Sequence, residues 1–216
     1  PILELDYQTF VGYYPIPIRY GGTVGDLGNK IIQEKWISPI PELKIINMEG
    51  WKNNLWFDET DLPWVKPSPN IPDLETAIIY AGMCIIEGTN LSEGRGTQKP
   101  FKQIGAPWVD GKILSQKLNK YKLPGVVFKP VLFTPISIPG MSTYPKFQDE
   151  KCSGIEIIIV DRNNYNSVNT GIFTLFTLYS MYSKNITFKA KHLNRLWGSD
   201  QLLKEIKKGT SPMDFI

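Results

Sequence analysis

The chain has little histidine, little cysteine and no long apolar run, and each shortage excludes a class of function. Its one histidine, His192, lies in KAKHLN among surface-type residues and reads as a solvated side chain. A Ser-His-Asp or Cys-His arrangement needs that imidazole, and a multi-histidine metal centre needs more than one, so no metal site is expected. Two cysteines cannot staple 216 residues. Cys84, within AIIYAGMCII, reads as a small buried hydrophobe, and Cys152, within DEKCSG, precedes a strand-like run. No stretch approaches the roughly 18 apolar residues of a membrane span, so no transmembrane segment is expected. An excess of charge is lacking too: 24 basic residues face 21 acidic ones, for a net charge of +3. Lys204, Lys207 and Lys208 form the one real cluster, read as the solvated face of a helix, and without a basic stripe no nucleic-acid partner is expected.

What remains is globular in composition, 42% hydrophobic and 21% charged, and long enough for one large domain or two small ones. The 17 prolines and 18 glycines are dispersed, densest in residues 12–28 and 61–73. PILELDYQTFVG opens without an initiator Met or a signal-like segment, and GTSPMDFI closes on a fresh turn signal. Both ends read as cut, with any signal peptide lying upstream.

Apolar spacing predicts a helix over 23–36, capped by Thr23, and another from Leu74 to about Ile86, capped by Asp73 with Glu75 in its first turn. Residues 114–121 and 170–182 read as helices, the second largely buried. A last helix starts at Ser199 or Asp200 and ends at Gly209. LKIINM (43–48), VVFKPVLFTP and GIEIIIVD (154–161) read as strands. Alternating helices and strands favour an α/β layered fold, with mixed α+β as the variant.

Two segments carry the chemistry. EGTNLSEGRGT (87–97) follows a helix and sets Glu87, Asn90, Ser92, Glu93, Arg95 and Thr97 among Gly88, Gly94 and Gly96. A glycine-flanked arginine in a tight loop suits bidentate capture of a carboxylate or phosphate, and internal Glu–Arg pairing is the equal alternative. EGWKNNLWFDETDLPWVKPSPNIP (49–72) gathers Trp51, Trp56 and Trp64 beside Asp58, Glu59, Asp61, Ser68 and Asn70. Aromatic faces bordered by carboxylates and amides suit a sugar, although each tryptophan taken singly is better read as a packing anchor. Tyr13, Tyr14, Arg19 and Tyr20 are expected to line the same pocket. No phosphate loop occurs. Glycoside hydrolysis needs two carboxyl groups, and Glu87 and Glu93 are the candidates by position, with Asp58 behind them.

At these segments the chain resembles the NamZ/YbbC-like exo-β-N-acetylmuramidases. The likeness is carried by GYYPIPIRYGGTVGDL, GWKNNLWFDETDLPWVKPSPNIP, EGTNLSEGRGTQKPFKQIGAPW and LPGVVFKPVLFTP, and runs from about Phe10 to Gly209. The resemblance implies a bacterial, exported cell-wall enzyme that removes terminal N-acetylmuramic acid from the non-reducing end of peptidoglycan fragments, periplasmic or extracellular, without a cofactor. It implies a Rossmann-like first domain and a second α/β domain with the active site between them. Residues 1–216 are then expected to be the second domain, partnered by a first domain outside this chain. The family's proposed catalytic glutamate lies in a Glu-His-Gly motif that does not occur here. Asn90, Ser92, Glu93, Arg95 and Thr97 match the family's second-domain signature, as do Trp51, Trp56, Asp58, Ser68 and Asn70. Tyr20-Gly21-Gly22 and Ala81-Gly82-Met83 stand where family members often carry His-Gly-Met and Pro-Gly-Thr.

Expected roles follow. Glu93 or Glu87 is the catalytic carboxylate of this part of the protein, and Arg95, with Arg19 as alternative, holds the lactyl carboxylate. Asn90, Ser92, Ser68 and Asn70 hydrogen-bond the sugar, while Trp51 or Trp56 stacks on its ring. Thr97 and Asp58 complete the substrate-binding set. The competing expectation is a non-catalytic module that binds muropeptides or other carbohydrate.

Overall fold

The computed structural model describes residues 2–216, and its burial is uneven: among these residues the first buried one is Asn70. The core is built from there onward, by Ile79, Met83, Ile86, Leu91, Phe101, Ile104, Leu114, Leu118, Phe128, Ile155, Ile157, Phe173, Leu175, Leu178, Leu193 and Leu202 among others.

A three-stranded sheet lies at the centre, with β1 (Gln103–Ala106), β2 (Val126–Phe133) and β3 (Cys152–Ile159) in the order β1-β3-β2. Both pairings are antiparallel, Ile104 opposing Ile155 and Phe128 opposing Ile157. Of the two variants the sequence allows, the fold is therefore the mixed α+β one. Its helices are α1 (Val24–Gln33), α2 (Leu74–Met83), α3 (Gly111–Lys120), α4 (Ser167–Tyr182), α5 (Ala190–Trp197), α6 (Gln201–Lys208) and α7 (Pro212–Phe215).

The caps form where the sequence places them. Thr23 Oγ1 accepts from the Asp26 N–H while Asp26 accepts from the Thr23 N–H, a reciprocal box. Asp73 accepts from the Thr76 N–H at 2.7 Å, and Gly209 ends α6 at φ +80°. Helices α2 and α4 then meet backbone to backbone. A Cβ on Gly82 would lie 1.6 Å from the Ser167 carbonyl oxygen, and one on Gly171 would lie 2.2 Å from the Gly82 oxygen. That contact seats α2, and so the loop that follows it, at a fixed depth.

One expected strand does not form. Residues 43–48 are irregular and exposed, running along α1, where Ile45 and Leu43 fill the space over Gly25 and Gly28. β-Rich composition makes a strand only where a sheet edge offers partners, and this segment meets a helix instead. Strand β1 and helix α5 are additions to the sequence reading.

Candidate active site

Helix α2 tightens into a 3-10 turn at Cys84–Gly88, which holds Glu87, and the chain then runs through the interior as residues 89–97. A buried irregular segment must satisfy its backbone polar groups. Ser92 does so by exchanging both backbone hydrogen bonds with Gly105 of β1 (2.8 and 3.1 Å). On the other side the Asn90 N–H donates to the Thr187 carbonyl at 3.1 Å. The loop is thus a strut between the sheet edge and the segment leading to α5.

Within it, Gly94 (φ +78°) and Gly96 (φ +79°) bracket Arg95. Neither tolerates a Cβ, which would lie 2.7 Å from the Gln103 oxygen at Gly94 and 2.6 Å from the Ile136 oxygen at Gly96. The Glu93 carbonyl accepts from the N–H of Phe101, itself a non-glycine residue at φ +62°. Such backbone costs on the order of 1–3 kcal/mol and concentrates at functional sites.

The turn gathers four charges. Arg95 pairs through Nη2 with Glu87 Oε1 (3.2 Å) and through Nε with Glu93 Oε1 (3.3 Å). Lys146 Nζ pairs with Glu93 Oε2 at 2.8 Å and donates to the Leu91 carbonyl at 2.9 Å. The Arg95 guanidinium lies 5.1 Å over the Phe101 ring, which Tyr80 meets edge-on. Glu93 is almost enclosed, 5% exposed, whereas Glu87 is 21% and Arg95 30% exposed. Among the described residues Arg95 Nη1 has no hydrogen-bond partner and Nη2 has one, so three of its five donors, spread over both terminal nitrogens, remain for a ligand. Glu87 Oε2 is likewise outside these pairs.

The other expected site residues are distributed differently. Asn90 commits its side chain to the 185–187 segment, donating to the Asn185 carbonyl and accepting from the Thr187 N–H, both at 2.9 Å. Ser92 Oγ accepts from the Gly94 N–H, and Thr97 Oγ1 donates to the Gly94 carbonyl and accepts from the Lys99 N–H. In this structure these three side chains shape the loop. Ser68 Oγ accepts from the Asn70 N–H, and buried Asn70 donates to the Met141 carbonyl at 2.7 Å, leaving Oδ1 without a partner. Met141 belongs to the 134–151 excursion between β2 and β3, which also carries Lys146 and donates from Ile136 N–H to the Gly96 carbonyl.

Trp51 and Trp56 line different cavities. Trp51 lines a cavity of about 690 Å³ with Val24, Ile45, Ile46 and Met48, and no titratable side chain lines it. Trp56 lines one of about 260 Å³ with Arg19, Ala81 and Tyr165. Its indole N–H donates to Asn163 Oδ1 at 2.9 Å and its ring lies under Arg162, which Asp58 (2.6 Å) and Glu59 (2.9 Å) grip. Tyr13 and Tyr14, expected beside these residues, line a third cavity with Arg195 and Trp197. A cavity lined by Asp58, Glu75 and Arg162 does hold two carboxylates, but Asp58 is 54% and Glu75 42% exposed. Among the described residues, the Glu87–Glu93–Arg95 cluster sets two carboxylates and a guanidinium with free donors on a largely buried loop, and it is the candidate site.

Burial pushes the Cys84 thiol up to about 12, with Glu87 adding to the effect, and Cys152 up to about 11, with Glu150 adding to it. Both cysteines are free and buried. Among the described residues no group of three or more His, Cys, Asp or Glu is placed to hold a metal ion, and no helix is long and apolar enough to cross a membrane.

An α+β frame holding a charge-balanced carboxylate–guanidinium cluster on an inserted loop defines the class of site. The chain belongs to the family of the exo-β-N-acetylmuramidase NamZ: residues 78–216 match its C-terminal model and residues 1–75 its N-terminal model. It is 39% identical over 217 residues to the peptidoglycan β-N-acetylmuramidase NamZ of Bacillus subtilis, covering 100% of this chain and 50% of that protein. Two crystal structures of DUF1343 family proteins from Bacteroides fragilis share the fold. One matches with a TM-score of 0.89 at 26% identity over 99% of this chain and 56% of its own. The other matches with a TM-score of 0.74 at 27% identity, over 100% and 55% respectively. The chain thus spans about half the length of the relatives it matches. The expectation that it holds only the second domain is not supported, since its first 75 residues match the N-terminal model.

Proposed function

We propose that this chain serves a glycosidase of peptidoglycan, supplying substrate-binding groups and one carboxylate to a site that releases terminal N-acetylmuramic acid from the non-reducing end of cell-wall fragments. Two supports carry the reading: 39% identity to a peptidoglycan β-N-acetylmuramidase, and the Arg95 donors left free beside Glu87. N-Acetylmuramic acid differs from ordinary amino sugars by a lactyl carboxylate, and a planar guanidinium with open donors on both terminal nitrogens binds a carboxylate in bidentate fashion.

The two glutamates take different parts. Glu93 has a cation on each oxygen, Arg95 on Oε1 and Lys146 on Oε2, and anchors the loop. Glu87 has one oxygen paired and one open, and acts on the sugar, orienting water or stabilising the oxocarbenium-like transition state. The second carboxyl group that hydrolysis requires corresponds to the family's Glu-His-Gly glutamate, a motif these 216 residues do not contain. An exported location, periplasmic or extracellular, accords with a peptidoglycan substrate.

The test is release of free N-acetylmuramic acid from the disaccharide MurNAc-GlcNAc, assayed with this chain alone and together with the half of the Bacillus relative that it does not match. Release that depends on Glu87 and Arg95 supports the reading. Saturable binding without release under either condition makes the chain a carbohydrate-binding module, and neither binding nor release removes the site.

A further inference from the structure

Lys146 matches no expected site motif, yet it is the residue on which the charge balance of the cluster turns. Its ammonium has three N–H donors. They are directed at Glu93 Oε2 (2.8 Å), the Leu91 carbonyl (2.9 Å), and the Ile86 and Glu87 carbonyls (3.4 and 3.5 Å). No donor is left for a ligand, so whatever Lys146 does it does through Glu93 and the loop.

Without Lys146, Arg95 would be the one cation between two carboxylates, and the cluster would carry a net negative charge. An arriving anionic group would meet that charge and would compete with both glutamates for the guanidinium. With Lys146, Glu87 and Glu93 are balanced by Arg95 and Lys146, and Glu93 has a second cation to lean on. The exposures agree with this division: Glu93 is sealed at 5%, and Arg95 faces outward at 30%. Lys146 reaches the loop from the 134–151 excursion, which is also anchored at Gly96 through the Ile136 N–H and at Asn70 through the Met141 carbonyl.

We propose that Lys146 is a positioning residue that sets the specificity of this site for an acidic sugar: by holding the Glu93 carboxylate it frees Arg95 to receive a ligand carboxylate. This rests on the reading of Arg95 given above and adds the residue on which its preference depends.

The test compares binding of N-acetylmuramic acid and N-acetylglucosamine to the 216-residue chain by calorimetry, the second sugar lacking the lactyl group. Wild type is expected to prefer the acid. Lys146→Met is expected to lose about tenfold for the acid, roughly 1.4 kcal/mol, with little change for the neutral sugar. Lys146→Arg is expected to recover much of the preference. Glu93→Gln, nearly isosteric, is expected to move it the other way, toward the acid, and a Glu93→Gln/Lys146→Met pair to regain it because the charges balance again. The paired variant buries no lone charge, so it and Glu93→Gln carry the test if Lys146→Met fails to fold. An acid preference that persists in Lys146→Met, or that falls in Glu93→Gln, would overturn the role of Lys146 while leaving that of Arg95 standing. No preference in the wild type would overturn both.

Discussion

Lys146 and Glu93 stand 53 positions apart in the chain and meet at 2.8 Å, the carboxylate nearly sealed from solvent. This pair fixes the loop that carries Arg95. Truncation of Glu93 leaves Lys146 and Arg95 short of their counter-charge in a part-buried setting. We expect Glu93→Ala to lower unfolding free energy by about 3 kcal/mol in urea titrations, the scale for breaking such a pair from one side, and Glu93→Gln to cost less.

The Gly82–Gly171 contact leaves no room for a methyl group. Because a Cβ at Gly82 meets a backbone oxygen rather than a side chain, the helices themselves must part. Gly82→Ala is therefore expected to cost about 3 kcal/mol or more, read as a lowered Tm, whereas Gly21→Ala, with nothing within 4 Å, leaves Tm nearly unchanged.

Acid should loosen α2 first at its cap. Burial alone would raise the Asp73 carboxyl, but hydrogen bonds from Thr76 and Lys102 outweigh it and hold the group below its ordinary value. A depressed carboxylate contributes stability above its unfolded pKa, near 4, and loses it as pH falls through the lower folded value. Asp73→Ala is expected to cost about 1 kcal/mol at pH 7, and stability curves of variant and wild type should converge below about pH 4.

Neither cysteine should behave as a nucleophile. With burial pushing Cys84 to about 12 and Cys152 to about 11, the native chain is expected to react negligibly with an aromatic disulfide reagent at pH 8. In denaturant it is expected to release two equivalents, one for each free thiol.

What the sequence made legible was local. Thr23 and Asp73 could be read as caps because a cap and the N–H it binds are three residues apart. The unusual composition of 87–97 marked a tight loop because Gly94 and Gly96 are demanded by the turn itself, at positive φ and without space for a Cβ. Contacts distant along the chain stayed hidden. Lys146 is one lysine among many until the fold brings the 134–151 excursion over the loop. Strand β1 has four residues, too few for a periodicity, and gains its partners only when β3 and Ser92 pair with it. Trp51 and Trp56 share a proline-stiffened segment but not a pocket, since Trp56 is drawn to Arg162 and Asn163 by interactions spanning over a hundred residues.

The claim that the 87–97 loop receives an acidic sugar is tested most directly by titrating the isotopically labelled chain with N-acetylmuramic acid and following side-chain N–H resonances. The account predicts saturable shifts at Arg95 Nε–H and the amides of residues 87–97, with the Trp56 indole N–H unmoved. Shifts centred on the Trp56 indole and Arg19, with Arg95 silent, would contradict it and transfer the site to the cavity those two residues share.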